Sequence, residues 1–88
     1  MSIKSKAVSP AQSLVNWKDV GRRVRELRGL DANQAEFAFE IGISQGQLSR
    51  YEKGNSEIGA EALLRLARKS GKSIEWLLTG VEQTRKNR

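Results

Sequence analysis

Apolar residues recur along this chain at helical spacing in short runs, and each run stops at a glycine. Trp17, Val20, Val24 and Leu27 fall three or four residues apart with Gly21 on the same side, while Arg22, Arg23, Arg25 and Glu26 occupy the other faces and Gly29 closes the segment. A second pattern holds Phe37, Ala38 and Ile41, with Asn33 ahead of it as a capping residue, Glu36 three positions later and Gly42 behind. A third runs from about Gln45 to Lys53, with Leu48 and Tyr51 on one face, Ser44 able to cap it and Gly54 as its stop. The polar loop Gly54-Asn55-Ser56-Glu57 leads to a fourth helix from about Ala60, whose expected apolar face is Ala60, Leu63, Leu64 and Ala67, ending at Gly71. Ser73 can cap a short fifth helix with Ile74, Leu77 and Leu78, stopped by Gly80. No alternating strand pattern, internal repeat or low-complexity block interrupts this series. The expectation is an all-α fold of five helices around one core at residues 14–80, between a flexible arm at 1–13 that holds Pro10 and a basic tail at 81–88.

The second and third helices form the most informative stretch. A sharp bend is required between them, and Gly42 takes positive φ without steric cost. Ala38 is small where the third helix must approach, and Ile43, Leu48 and Tyr51 anchor that helix from within. Its other face carries Gln45, Gly46, Ser49, Arg50 and Lys53, all polar or small. A small packing residue, a turn glycine and a polar outer face at this spacing are the sequence form of a helix-turn-helix that enters the major groove. An ordinary αα-hairpin needs no such coincidence.

Composition narrows the chemistry. The 88 residues allow one domain with a modest core. Sixteen basic residues against ten acidic give a formal charge of +6, compatible with a polyanionic partner. The excess clusters at Arg22, Arg23, Arg25 and Arg28, at Arg50 and Lys53, and at Arg85, Lys86 and Arg88. With neither cysteine nor histidine, disulfides, Cys/His metal sites and a histidine general base are excluded. Serines and carboxylates show no nucleophile–base pairing, so no enzyme, metal or cofactor is expected. The Lys4/Lys6 region lacks a following apolar stretch, and no segment approaches the ~20 apolar residues of a membrane span, so a cytoplasmic location is expected.

These residues together resemble the lambda-repressor/Cro (XRE) family of helix-turn-helix DNA-binding domains. The resemblance covers about Trp17 to Gly80 and is strongest in Arg-Val-Arg-Glu-Leu-Arg at 23–28, in the helix-turn-helix, in Leu48-Ser49-Arg50-Tyr51-Glu52-Lys53-Gly54 and in Ile74-Glu75-Trp76-Leu77-Leu78-Thr79-Gly80. It implies a five-helix lambda-repressor-like domain that recognises double-stranded DNA, as a symmetric dimer repressing transcription. Residue by residue, it implies a base-reading Gln45 at the start of the recognition helix and a Gln34 that binds phosphate and braces it. Arg50 is placed to reach a guanine edge or a phosphate. Asn33, Lys53 and Asn55 are placed to grip the DNA backbone. Ser44, Gln47 and Ser49 complete the DNA-facing set, and Gly46 stands where no side chain can read a base. The resemblance also implies that Arg28 and Glu52 pair structurally, tying the first helix to the end of the recognition helix.

A short fifth helix cannot bury all of Ile74, Leu77 and Leu78 in its own core, so these three are the expected homodimer contact. Two other readings compete with the repressor: an antitoxin that regulates its own operon and binds a partner protein, and an adaptor that kept the fold without reading DNA. Gln34, Gln45 and Arg50 favour DNA, because an adaptor has no need of that polar set.

Overall fold

Five α-helices occupy the positions that the glycine-punctuated pattern marks: α1 (Trp17–Arg28), α2 (Gln34–Ile41), α3 (Gln45–Lys53), α4 (Ala60–Ser70) and α5 (Ile74–Thr79). The computed structural model describes residues 13–82 and shows no strand among them. Nearly all of the expected arm and tail, with Lys4, Lys6, Pro10, Arg85, Lys86 and Arg88, therefore lies outside the described residues.

Local chemistry sets the helix starts. Asn33, Ser44 and Ser73 each accept a backbone N–H three residues on, from Glu36, Gln47 and Trp76. Asn16 does the same for α1, accepting from Lys18 and Asp19. Each cap satisfies donors that the first helical turn leaves without partners. Between α2 and α3 the chain turns through Gly42, at φ 77°. The Gly42 N–H donates to the Phe39 carbonyl at 3.1 Å and the Ile43 N–H to the Ala38 carbonyl at 3.0 Å, closing a Schellman motif. Ile43 is thereby folded onto the core, and Ser44 can start the next helix at once.

The core comprises Val20 and Val24 of α1, Phe37, Ala38 and Ile41 of α2, Leu48 and Tyr51 of α3, Ala62, Leu63 and Leu66 of α4, and Leu77 of α5. Ile58, in the loop before α4, completes it at 5% exposure. A lone apolar residue in a polar loop gave no periodic signal of this.

Two sequence expectations change. The buried side of α4 is Ala62, Leu63 and Leu66 with Ala67 partly buried, whereas Ala60 is exposed and Leu64 is 41% exposed. Both stripes are helical and share Leu63 and Ala67, so only packing against α2 and α5 selects between them. In α5, Leu77 is fully buried within the protomer. It cannot be presented to a second copy, because it fills the space beneath α1 and α4.

The tightest packing is between α1 and α3. A Cβ placed on Gly21 would lie 2.6 Å from the Glu52 carbonyl oxygen and nearer still to that of Tyr51. Gly54 repeats the device at the end of α3: its φ is 75°, and a Cβ there would lie 2.6 Å from the Lys18 Cα. The two helices thus meet backbone to backbone. Gly21→Ala inserts a methyl against backbone atoms that have no rotamer to retreat into, so it should destabilise the domain by about 3 kcal/mol. Thermal unfolding should show a melting temperature lower by roughly 10–20 °C. A change within 2–3 °C, small on the scale expected for a domain of this size, would mean that α1 and α3 slide apart freely.

Candidate nucleic-acid interface

Since Leu48 and Tyr51 face inward, the helical repeat turns Gln45, Gly46, Arg50 and Lys53 outward, and all four are exposed. Gln47 and Ser49 sit half-buried at the edges of that face, while Asn33, Ser44 and Asn55 are exposed at the helix ends and in the following loop. The side-chain oxygens of Asn33 and Ser44 are engaged as caps. Among the described residues Lys53 forms no ion pair, so its ammonium is open to an external anion. Arg22 pairs, among the described residues, with Asp19 on its own helix alone, an exposed contact that solvent renders weak.

Behind α3 sits the charged node of the molecule. Arg28 Nε donates to Glu52 Oε2 at 2.7 Å and Arg28 Nη2 to Glu52 Oε1 at 2.9 Å, a bidentate pair. Arg28 Nη1 also donates to the Ala32 carbonyl at 3.1 Å. Gln34 Nε2 donates to Glu52 Oε1 at 2.9 Å. The side chains of Arg28 and Glu52 are only 15% and 5% exposed. Burial pushes the Glu52 carboxyl up, but hydrogen bonds from Arg28 and Gln34 and the charges of Arg28 and Arg25 outweigh it and hold the pKa below the ordinary glutamate value. The hydrogen bond to Glu52 outweighs burial at Arg28 and keeps its guanidinium firmly protonated.

Two further polar side chains make bonds within the protein. Through its bond to Glu52, Gln34 braces the end of α3, with a second N–H and its amide oxygen left over. Arg23 is committed to α5: its Nε donates to the Leu77 carbonyl at 3.0 Å, and its guanidinium lies 6.0 Å from the Trp76 ring centroid. Lys72 Nζ approaches the same ring to 4.9 Å. Trp76 is therefore a half-buried packing residue between cations, and Tyr51, at 5% exposure, belongs to the core.

The helix-turn-helix family model matches residues 22–77. The chain belongs to the lambda-repressor/Cro (XRE) helix-turn-helix family. Members of this family are DNA-binding transcriptional regulators rather than enzymes. The crystal structure of the P22 c2 repressor in complex with a synthetic operator superimposes with a TM-score of 0.65 at 32% identity, covering 70% of this chain and 96% of that one. The restriction-modification controller protein C.AhdI of Aeromonas hydrophila gives 0.62 at 25% identity, with the same coverage of 70% and 96%.

Among curated relatives, the antitoxin PezA of Streptococcus pneumoniae is 42% identical over 45 residues, half of this chain and 28% of that protein. A transcriptional regulator of the ATPase CF(0) region in Rhodospirillum rubrum is 34% identical over 65 residues, 73% of this chain and 60% of that one. The family domain is thus shared with longer proteins. No helix among the described residues is long and apolar enough to cross a membrane.

The Glu52 node has a pH signature. A carboxyl whose pKa is lowered by folding stabilises the native state above its unfolded value, and that contribution disappears as pH falls through the folded value. Glu52→Gln should therefore lower the melting temperature at pH 7, and the gap to wild type should close below about pH 4, where the ordinary glutamate range is passed. Glu52→Ala, which strips Arg28 and Gln34 of their partner, should cost about 3 kcal/mol at neutral pH, the lower end for a broken buried pair, because Arg28 keeps some solvent access. A gap between Glu52→Gln and wild type that is constant from pH 7 to pH 3 would contradict this assignment.

Proposed function

We propose that this protein is a repressor that binds a near-palindromic operator as a homodimer, placing one α3 in the major groove of each half-site. The observation that favours this most is the outer face of α3: Gln45, Gly46, Arg50 and Lys53 are exposed on a helix whose inner face is fixed in the core. A glutamine amide at Gln45 matches the donor–acceptor pair of adenine in the major groove, and Arg50 matches guanine. Lys53 and Asn55, at and just past the end of α3, are assigned to backbone phosphates, with Asn33 and Gln34 at the start of α2 and Ser44, Gln47 and Ser49 flanking the readers. Such contacts position the protein without specifying sequence. Support also comes from the likeness to the P22 c2 repressor, whose structure contains an operator.

One recognition helix covers too few base pairs for useful selectivity, so two half-sites about 34 Å apart are required. The dimer contact is assigned to α5, through Ile74 at 37% exposure and the half-buried Leu78, with Leu77 supporting both from beneath. The similarity to PezA favours a second reading, in which the protein is an antitoxin that binds its own operator and a partner protein. Co-purification of a toxin encoded beside the gene would distinguish it.

Reading and gripping should separate on mutation. Gln45→Ala should lower affinity for the selected operator and flatten preference at one position per half-site, a loss of about 1–3 kcal/mol of discrimination. Lys53→Ala should weaken selected and scrambled duplexes alike and make the salt dependence shallower by about one unit. Equal losses on both duplexes for both variants would remove Gln45 from base reading.

Dimerisation has its own check. Sedimentation or light scattering at rising concentration, with and without operator, should show a two-fold species that Ile74→Asp weakens while leaving thermal stability nearly unchanged. A protein that binds its operator as a single copy would overturn the dimer.

A further inference from the structure

The outer edge of α3 holds a chain of side chains that exposure of the readers alone does not require. Arg50 Nη2 donates to Gln47 Oε1 at 2.7 Å, and Gln47 Nε2 donates to Tyr51 Oη at 2.9 Å. The direction of this chain follows from its chemistry. A guanidinium only donates, so the Gln47 oxygen must face Arg50, and its amide nitrogen is left to face Tyr51, whose hydroxyl accepts. Tyr51 is held in the core at 5% exposure, so its hydroxyl is a fixed post at the core boundary.

An exposed arginine on a helix ordinarily samples many rotamers, at a cost in entropy when one is selected. Here Gln47 holds the guanidinium back along the helix, with Nη1 at 4.0 Å from where a Cβ on Gly46 would stand. Gly46 is a full turn earlier and offers no side chain to compete for that space. One hydrogen of Nη2 is committed to Gln47; its second hydrogen, with those on Nη1 and Nε, remains free. That is enough for the two-bond contact to guanine O6 and N7.

Resting on the reading of α3 as the base-reading helix, we propose that Gln47, anchored on Tyr51, is a positioning residue that presets the Arg50 guanidinium over Gly46 to read one guanine in each half-site. The guanidinium lies beside Gly46, where a Cβ would meet it only at ordinary contact distance, so Gln47 and not the glycine sets its place.

The test uses the full chain and duplexes carrying every single-base change in the selected operator. Arg50→Ala should abolish preference at one position per half-site. Gln47→Met keeps the length of the side chain and removes its hydrogen bonds; Tyr51→Phe keeps the ring in the core and removes the hydroxyl. Each should reduce preference for guanine at that same position by about tenfold, on the scale of one well-placed bidentate contact. Preference at the Gln45 position should stay within about twofold in both variants, and Tyr51→Phe, a change in the core, should leave affinity for scrambled duplex within the same range, too small to reflect a lost contact. Gln47→Met should add nothing in an Arg50→Ala background. Gln47→Glu should retain the preference, since a carboxylate still accepts from Arg50 and Tyr51 can then donate, although its charge weakens binding to all duplexes.

Two results would overturn the proposal and leave base reading by Gln45 intact. One is that Arg50→Ala flattens a position that Gln47→Met and Tyr51→Phe leave untouched. The other is that Gln47→Met weakens every duplex equally with a fall in melting temperature. If Arg50→Ala itself weakens all sequences alike, Arg50 is a phosphate contact, and the proposal fails while the Gln45 profile still tests the broader reading.

Discussion

The backbone-to-backbone crossing of α1 over α3 at Gly21 is the constraint on which the rest of the molecule depends. A nine-residue helix has too few internal hydrogen bonds to persist by itself in water. It persists because Leu48 and Tyr51 are buried on one side and because α1 presses directly on the carbonyls of Tyr51 and Glu52. Contact between main chains leaves less play than contact through flexible side chains. Every side chain that α3 turns outward inherits that definition, and hydrogen-bond strength depends steeply on distance and angle.

Charge placement follows from the same crossing. Glu52 lies on the inner flank of α3, where Arg28 and Gln34 absorb its charge, and the outward side of that helix stays free of carboxylates. One buried carboxylate thereby joins α1, the start of α2 and the end of α3. A pair of this kind adds little net stability over an apolar replacement, and its value lies in fixing how the elements sit relative to one another. Arg23 does the corresponding work for α5, through the Leu77 carbonyl and the face of Trp76.

Three glutamines show how little residue type alone reveals of role. Gln45 is exposed at the start of α3, Gln34 is bound to Glu52, and Gln47 is held between Tyr51 and Arg50. All three are polar positions in the same stretch of sequence. What separates them is the direction in which each helix is rotated and which partner the neighbouring helix supplies.

The five helices and their limits were legible in the chain because the signals are local. A cap at Asn33, Ser44 or Ser73 acts on an amide three residues away, and the left-handed turn at Gly42 is a property of that residue. The outward face of α3 was legible too, since burying Leu48 and Tyr51 determines where Gln45 and Arg50 must point. The Arg28–Glu52 pair spans 24 positions and was reached only through family resemblance. Beyond local range the tertiary structure decided. It chose which of two helical stripes on α4 is buried, drew Ile58 into the core, closed Leu77 off from any partner, and joined Arg23 to a carbonyl 54 positions away. The physical reason is that amphipathic periodicity specifies a stripe but leaves its rotation and its partner open. Those are settled only when rigid helices compete for the same buried volume.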